Sequence, residues 1–529
     1  MNSYKLDPAY YISLPGYSND CLYKFTGQDI QLLTDVNDYE FFEKSIRGGI
    51  SMIGGKRLGV ANNKYMENYD PELESRYLMY WDANNLYGGA MMETLPIGGF
   101  KWLPQNEVDE FFADDCKRLR EISYDSEIGY HLEVDIETPS ELHDYFDDYP
   151  LCPESIKISN SMIGDYGEEL LVKVSQNGIV TDADRIRILK QNEDKCPKLV
   201  LSLTAKTAYK ISYRYLQFCL AKGMKVSKIH RIIQYDQKAW MAPYIQFNTD
   251  QRTKATSTSE KDFYKLMNNA VFGKSMENVR NRFDFRFCTT RKQLCKLAAK
   301  DQFQGISEFN SGLVGVSMLK ATVHLNKPVF IGACILDMSK LTMAKFHYDY
   351  VKVRYPGTNS RLLFTDTDSL AYEIKTEDVY EDMRPASDEL FDFSEYPRDH
   401  PLQSNKNKKV VNKFKDEAGS KIITGFVGLR SKMYAYQTYD PANKSTKEDK
   451  KCKGIKKSVV KQELKFNNYR EILLNESKMM STMTCLRSYN HEIHTITQTK
   501  TSLSAYDNKR FLINSVESRS HGHWRNAKK

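Results

Sequence analysis

Long apolar stretches are missing from this 529-residue chain. The longest runs, such as that in residues 327–334, fall far short of the roughly 20 residues a membrane span needs, and no membrane partner is expected. The N-terminus, residues 1–10, carries no apolar core of the secretory kind. Cysteine pairs at CxxC spacing are absent, and the ten cysteines are scattered. That excludes a zinc ribbon or a disulfide scaffold and favours a reducing compartment. His491 with His494, or His521 with His523, has ligand-like spacing, but no cysteine or carboxylate stands at finger-like distance. Internal repeats and low-complexity linkers are also absent. So is a strong excess of one charge, since 76 basic against 69 acidic residues leave only +7. This balance excludes a uniformly basic DNA coat and leaves local basic surfaces.

Those surfaces are visible in residues 405–415 (NKNKKVVNKFK) and 447–461 (KEDKKCKGIKKSVVK). The length and the 41% hydrophobic content allow several globular units. Residues 76–81 (RYLMYW) read as a strand ending at Asp82, and residues 130–136 alternate like another. Residues 107–120 read as a helix with Val108, Phe111, Phe112 and Leu119 on its apolar side. Residues 205–221 read as an amphipathic helix stopped near Gly223, and residues 259–280 as a long one. Residues 361–365 and 370–374 are strands flanking a DTDS turn, and the Pro-rich stretch 385–401 reads as a boundary before a lysine-rich C-terminal part.

Carboxylates at strand ends suggest phosphoryl transfer. That chemistry asks for charge neutralisation more than for covalent help. Two divalent ions about 4 Å apart would clamp the attacking and leaving oxygens, and Mg²⁺ needs only one or two protein carboxylates per ion. Residues 364–370 (FTDTDSL) place Asp366 and Asp368 two apart, so an extended hairpin would turn both to one side. Asp82 would supply a further carboxylate. Taken singly, an Asp-rich turn between strands is commonly just a turn.

A third element complements the acids. In residues 265–278 (KLMNNAVFGKSMEN), Lys265, Asn269, Phe272 and Met276 fall within about 60° on a helical wheel. Phe263, Leu266, Met267 and Ala270 lie opposite. One face would pack, while the other offers a cation, an amide and a ring. Gly273 costs about 1 kcal/mol in mid-helix and would let a base or backbone approach.

In this order the blocks resemble motifs A, B and C of family B DNA polymerases: DANNLYG (82–88) for DxxSLYP, KLMNNAVFGK (265–274) for KxxxNSxYG, and FTDTDS (364–369) for YxDTDS. LRSKMYAY (429–436) resembles that family's KxY motif. The long stretch between the first two blocks is similar to the insertion of the protein-primed group, and the wording around the motifs to polymerases of Polinton-type elements and related viruses. The resemblance implies an α+β right-hand fold: an antiparallel palm sheet with helical fingers and thumb. The division it implies is an N-terminal remnant and linker (1–75), palm with motif A (76–105), insertion (106–248), fingers with a second insertion (249–326), palm with motif C (327–400) and KxY region with thumb (401–529).

Site residues follow from the same resemblance. Asp82 and Asp368 would hold two Mg²⁺ ions, with Mn²⁺ as an alternative, Asp366 beside them and the Ala83 carbonyl adding a contact. Tyr87 would lie under the sugar. Lys265 would hold the triphosphate, with Asn269 and Phe272 beside it, and Lys254 or Arg252 would be a second cation. Lys340, Gly273, Lys432, Tyr434 and the Arg47, Gly48 and Gly49 segment would meet DNA. Partners would be template and primer DNA, dNTPs and a priming terminal protein. A transposon would place the protein in a nucleus, a virus elsewhere. The sequence departs from the family pattern at Ile46, Asn85, Gly88, Ala270, Phe272 and Phe364, none of them an acid or the triphosphate lysine.

The family's 3′–5′ exonuclease domain finds no room in the residues before Arg47. DIET at 135–138 spells its signature out of order and reads as strand residues. The alternative to an active polymerase is a non-catalytic DNA-binding remnant of a mobile element. An RNA-dependent polymerase is disfavoured by the absence of a GDD or YxDD turn.

Overall fold

The computed structural model describes residues 3–175, 180–193, 195–489 and 492–526. Its centre is a large sheet in the order Ser51–Ile53, Ser360–Asp366, Ser369–Lys375, Arg76–Ala83, Ile422–Arg430, Met433–Asp440 and Ser445–Cys452. Neighbours along this path are antiparallel. Phe414–Asp416 adds to the other end of Arg76–Ala83. Its strands span the 385–401 stretch, so the sheet runs on through the boundary expected there.

Apolar residues crowd these strands because both faces are covered. Tyr77, Met79, Trp81, Leu370 and Tyr372 join one core, while Leu78, Leu363, Phe364 and Ala371 join another on the opposite face. Side chains alternate across a strand, so two covered faces require apolar residues at nearly every position. Trp81 is wholly buried at the centre, and its loss to Ala would cost about 3–5 kcal/mol. The helix Val329–Lys345, which contains most of the 327–334 apolar run, is buried nearly all round.

A second antiparallel sheet, in the order Leu95–Trp102, Lys225–Lys238, Ile128–Glu137 and Lys206–Ser212, fills much of the span between the first two blocks. Here the reading of residues 205–221 needs correction. Lys206–Ser212 is a strand paired to Ile128–Glu137, and only Tyr213–Ala221 is helical. Tyr209 and Ile211 enter the core two residues apart, and pairing with an existing strand outweighs the local helical pattern. Phe112 is also exposed rather than core, and the helix Gln105–Arg120 is broken just after it, at residues 113–116. A three-stranded sheet (residues 284–318) and a long hairpin, Lys478–Tyr489 with Glu492–Ser504, complete the strands that matter. Among the described residues no helix is long and apolar enough to cross a membrane.

The helix Thr258–Ser275 starts where its sequence says it should. The Ser257 hydroxyl accepts from the Glu260 backbone N–H and the Glu260 side chain answers, a capping box that contributes about 1 kcal/mol. Met267, Ala270 and Val271 are buried, whereas Leu266, expected on the packing face, is exposed. The helix packs on Leu14–Thr26, Ala242–Lys254 and Val329–Lys345.

Candidate active site

Asp82 ends its strand opposite Ser369, so antiparallel register alone sets it beside Asp368. The Ala83 N–H donates to the Asp368 carbonyl at 2.7 Å. Between the strands Thr367 takes φ +70°, and the Asp368 N–H donates to the Asp366 carbonyl at 2.9 Å. This is a γ-turn, a strained form for a β-branched residue. Outside support holds it: the Thr367 N–H donates to the Ile50 carbonyl at 2.6 Å. Gly49 comes so close that a Cβ there would stand 2.5 Å from the Thr367 side chain. Gly49 is thus a glycine because it buttresses the aspartate turn, while a Cβ at Gly48 would meet nothing within 4 Å.

The two acids of the tight turn have different partners. Asp366 accepts from Lys432 Nζ at 2.5 Å. Asp368 joins Asp82 and Ala83 on the wall of a cavity of about 170 Å³. Burial, then the Asp368 carboxylate and Glu417, push Asp82 up to about 7. Burial also raises Asp368, with Asp366 and Glu417 adding to it. Lys415 stands 4.0 Å from Asp82 but only 2.5 Å from Glu417. The acid pair is therefore short of positive charge. Among the described residues no three His, Cys, Asp or Glu gather as a metal cage. A desolvated pair is nonetheless a donor set that suits a hard ion keeping several waters or phosphate oxygens.

The opposite wall of the cavity is helical. Lys265 and Asn269 line it and are exposed, as the wheel requires. Tyr87 lines it too, its ring stacked on Phe272 at 4.3 Å. Just before them Asn85 takes φ +47°, a conformation that Asn tolerates better than most residues. Of the two cations offered in the preceding helix, Arg252 lines the cavity and the Lys254 candidate does not. A Cβ at Gly273 would meet nothing within 4 Å, so that helix face is open.

Other candidates are placed differently. Lys340, read as reaching for template or primer, is instead 4% exposed. Its Nζ donates to the Arg47 carbonyl at 2.6 Å, and burial pulls it down to about 8 beside Asp337. Arg47 lies over the Tyr209 ring at 3.7 Å and donates to the Lys210 carbonyl at 2.9 Å. Tyr434 is buried with its ring stacked on Phe364 at 4.2 Å, beneath the aspartate hairpin. Asp135 of DIET accepts from the Ala208 N–H and meets His230, both at 2.7 Å. Of the histidine pairs, His491 lies outside the described residues and His494 is exposed. His521 and His523 are buried, against the Asn508 carbonyl and Asp144.

Sequence reading missed Lys415 and Lys409, which line the cavity from the 405–415 run. A basic run signals a surface, not which of its lysines turns inward. The 447–461 run gains a place as well: Lys450, Lys453, Lys457 and Lys461 border a groove of about 760 Å³ that opens onto Asp366, Asp368 and Lys432.

No protein-family model matches the sequence, and no curated protein matches it. Solved structures do. Phi29 DNA polymerase complexed with primer-template DNA in a post-translocation binary complex has TM-score 0.51 at 13% identity, over 93% of this chain and 68% of that one. An orthorhombic crystal form of Phi29 DNA polymerase has TM-score 0.52 at 12% identity, over 94% and 69%. Its ternary complex with primer-template DNA and incoming nucleotides has TM-score 0.50 at 14% identity, over 93% and 68%. The chain thus has a mixed α/β fold similar to that of Phi29 DNA polymerase.

Proposed function

We propose that this chain is a DNA-directed DNA polymerase of the family B, protein-primed kind, adding deoxynucleotides to a 3′-hydroxyl or to the hydroxyl of a priming protein. One observation carries the reading. Asp82 and Asp368, far apart in the chain, form a charge-deficient pair on one wall of a cavity whose other wall presents Lys265, Arg252, Asn269 and Tyr87. The likeness to Phi29 DNA polymerase, solved with primer-template DNA and incoming nucleotide, supports it.

In this reading the central sheet is the palm. The helices Ala242–Lys254 and Thr258–Ser275 are the fingers, residues 401–529 add the KxY strands to the central sheet and hold the thumb, and the second sheet belongs to the insertion. Asp82 and Asp368 would hold Mg²⁺, which neutralises phosphate charge and makes the 3′-hydroxyl a better nucleophile. Lys265 and Arg252 bind and orient the triphosphate. Tyr87, backed by Phe272, forms the floor under the sugar and leaves no room for a 2′-hydroxyl. Lys432 pairs with Asp366 and, with the lysine groove, meets the primer backbone. Lys340 serves the DNA path indirectly by fixing the carbonyl of Arg47. Replication of a Polinton-type element or a related virus is the setting that the motif wording supports.

Primer extension by the purified chain with Mg²⁺ and dNTPs is the test. Extension that disappears in Asp368→Ala supports the reading. DNA binding without extension would replace it with the non-catalytic remnant.

A further inference from the structure

Residues 405–413 form a loop bolted to the segment just after Asp82. The Lys409 N–H donates to Asp392 Oδ2 at 2.8 Å, and the same buried Asp392 oxygen accepts from Asn84 Nδ2 at 2.7 Å. The Asn412 N–H donates to the Asn84 carbonyl at 2.9 Å, and the Asn84 N–H to the Lys413 carbonyl at 2.8 Å. Lys409 itself takes φ +58° and Asn412 φ +61°, so the loop is a specified conformation held by named partners. It rides on the body that carries the acid pair, not on the helices across the cavity.

From that body Lys409 enters the same cavity as Arg252 and Lys265. Among the described residues none of Lys409, Arg252, Lys261 and Lys265 takes part in an ion pair, and the buried Arg252 Nε has no hydrogen-bond partner. Two lysines of the same loop that do not line the cavity have partners of their own, Lys406 in Asp388 at 2.8 Å and Lys413 in the Glu389 carbonyl. Burial, followed by the like charges of Arg252 and Lys261, lowers the Lys409 ammonium. Cations gathered on one cavity from separate elements, none of them in a direct ion pair, make a polyanion-binding wall beside the acid pair.

We propose that Lys409 is a nucleotide-binding residue that grips the polyphosphate of a nucleoside triphosphate from the sheet side, opposite Arg252 and Lys265. The inference rests on the polymerase reading for the identity of the nucleotide. It makes the triphosphate a bridge between two bodies of the protein: cations on the helices hold one side, and a cation tied to Asn84 holds the other. A diphosphate or a single phosphate would span less of the cluster and bind more weakly.

The test uses the full chain as Lys409→Met, Lys409→Gln, Lys409→Arg and, as a control from the same loop, Lys406→Met. Measured are the KM for dNTP at saturating primer-template, the Kd for inorganic tripolyphosphate by calorimetry, and the Kd for primer-template DNA. Lys409→Met and Lys409→Gln should raise both the KM and the tripolyphosphate Kd about tenfold, as for one charge-assisted contact, with DNA affinity unchanged. Lys409→Arg should recover most of the loss, and Lys406→Met should behave as the parent. A KM and tripolyphosphate Kd equal to the parent's, or a loss confined to DNA affinity, would overturn the proposal. A parent chain that extends no primer defeats the polymerase reading by itself, and the tripolyphosphate titration still decides the role of Lys409.

Discussion

Residues 135–137 and 366–368 each place two acids two positions apart on or beside an antiparallel strand. The second sheet satisfies its aspartate: Asp135 accepts a backbone N–H and meets His230, and these bonds hold its carboxyl below the usual range. Among the described residues the central sheet pairs Asp366 with Lys432 but leaves Asp368 outside any ion pair. Asp368 is turned by a strained γ-turn toward a second carboxylate from a distant strand, and burial raises both, with Asp368 adding at Asp82 and Asp366 adding at Asp368. Identical spacing therefore gives opposite electrostatics, and the difference lies in what the fold brings alongside. Satisfied charges hold structure together; unsatisfied ones wait for a ligand.

That contrast breaks first, and most visibly, at the acid pair. Asp368→Ala should lower primer extension by at least about a thousandfold, because several kcal/mol of charge stabilisation at the transferring phosphate are lost. Asp135→Ala should extend primers at the parent rate in the same gel assay. Equal losses in the two variants would erase the distinction.

Lys340 belongs to the satisfied class, although the family resemblance implies that it would meet DNA. Lys340→Met strands a buried Asp337 and frees the Arg47 carbonyl. Denaturant unfolding should show a loss of about 3 kcal/mol, whereas the exposed Lys254→Met should unfold as the parent does. An unchanged midpoint for Lys340→Met would move Lys340 to the functional class.

Tyr87 sharpens the account of the unsatisfied site. Tyr87→Val removes the ring stacked on Phe272 and should raise ribonucleotide incorporation relative to deoxyribonucleotide by about tenfold or more, read by competitive single-nucleotide insertion. Unchanged sugar discrimination removes the floor role from Tyr87.

The smallest effect concerns Asp135. Its carboxyl is held below the ordinary aspartate range, so its stabilising contribution is present above the unfolded-state value and fades as the pH falls through the lower native one. Melting of the parent and of Asp135→Asn should differ by less than about 1 kcal/mol near neutrality and converge in acid. A gap that widens in acid would reverse the sign of this assignment.

Much of the acid site was legible in the chain. Apolar runs ending in Asp82 and flanking Asp366 and Asp368 could be read as strands, since covered faces demand apolar residues at every position. The helical wheel placed Lys265 and Asn269 on the open face because 3.6 residues per turn leaves little freedom. What stayed illegible depended on partners elsewhere. Lys206–Ser212 became a strand through Ile128–Glu137, which no local pattern reveals. Lys340 was buried by Asp337 and the Arg47 carbonyl, though a lysine after an apolar run reads as surface. Arg252 rather than Lys254 faces the cavity through two residues of helical phase, and Lys409 enters through positive backbone angles that composition does not encode.

The central claim is that Asp82 and Asp368 serve one ion site together. Titration of Mn²⁺ into the dNTP-bound chain, followed by electron paramagnetic resonance, tests it most directly. Asp82→Asn and Asp368→Asn should each lose the tightly bound ion, and the double variant should lose no more than either alone. Single variants that keep the ion, or losses that simply add in the double, would contradict the account.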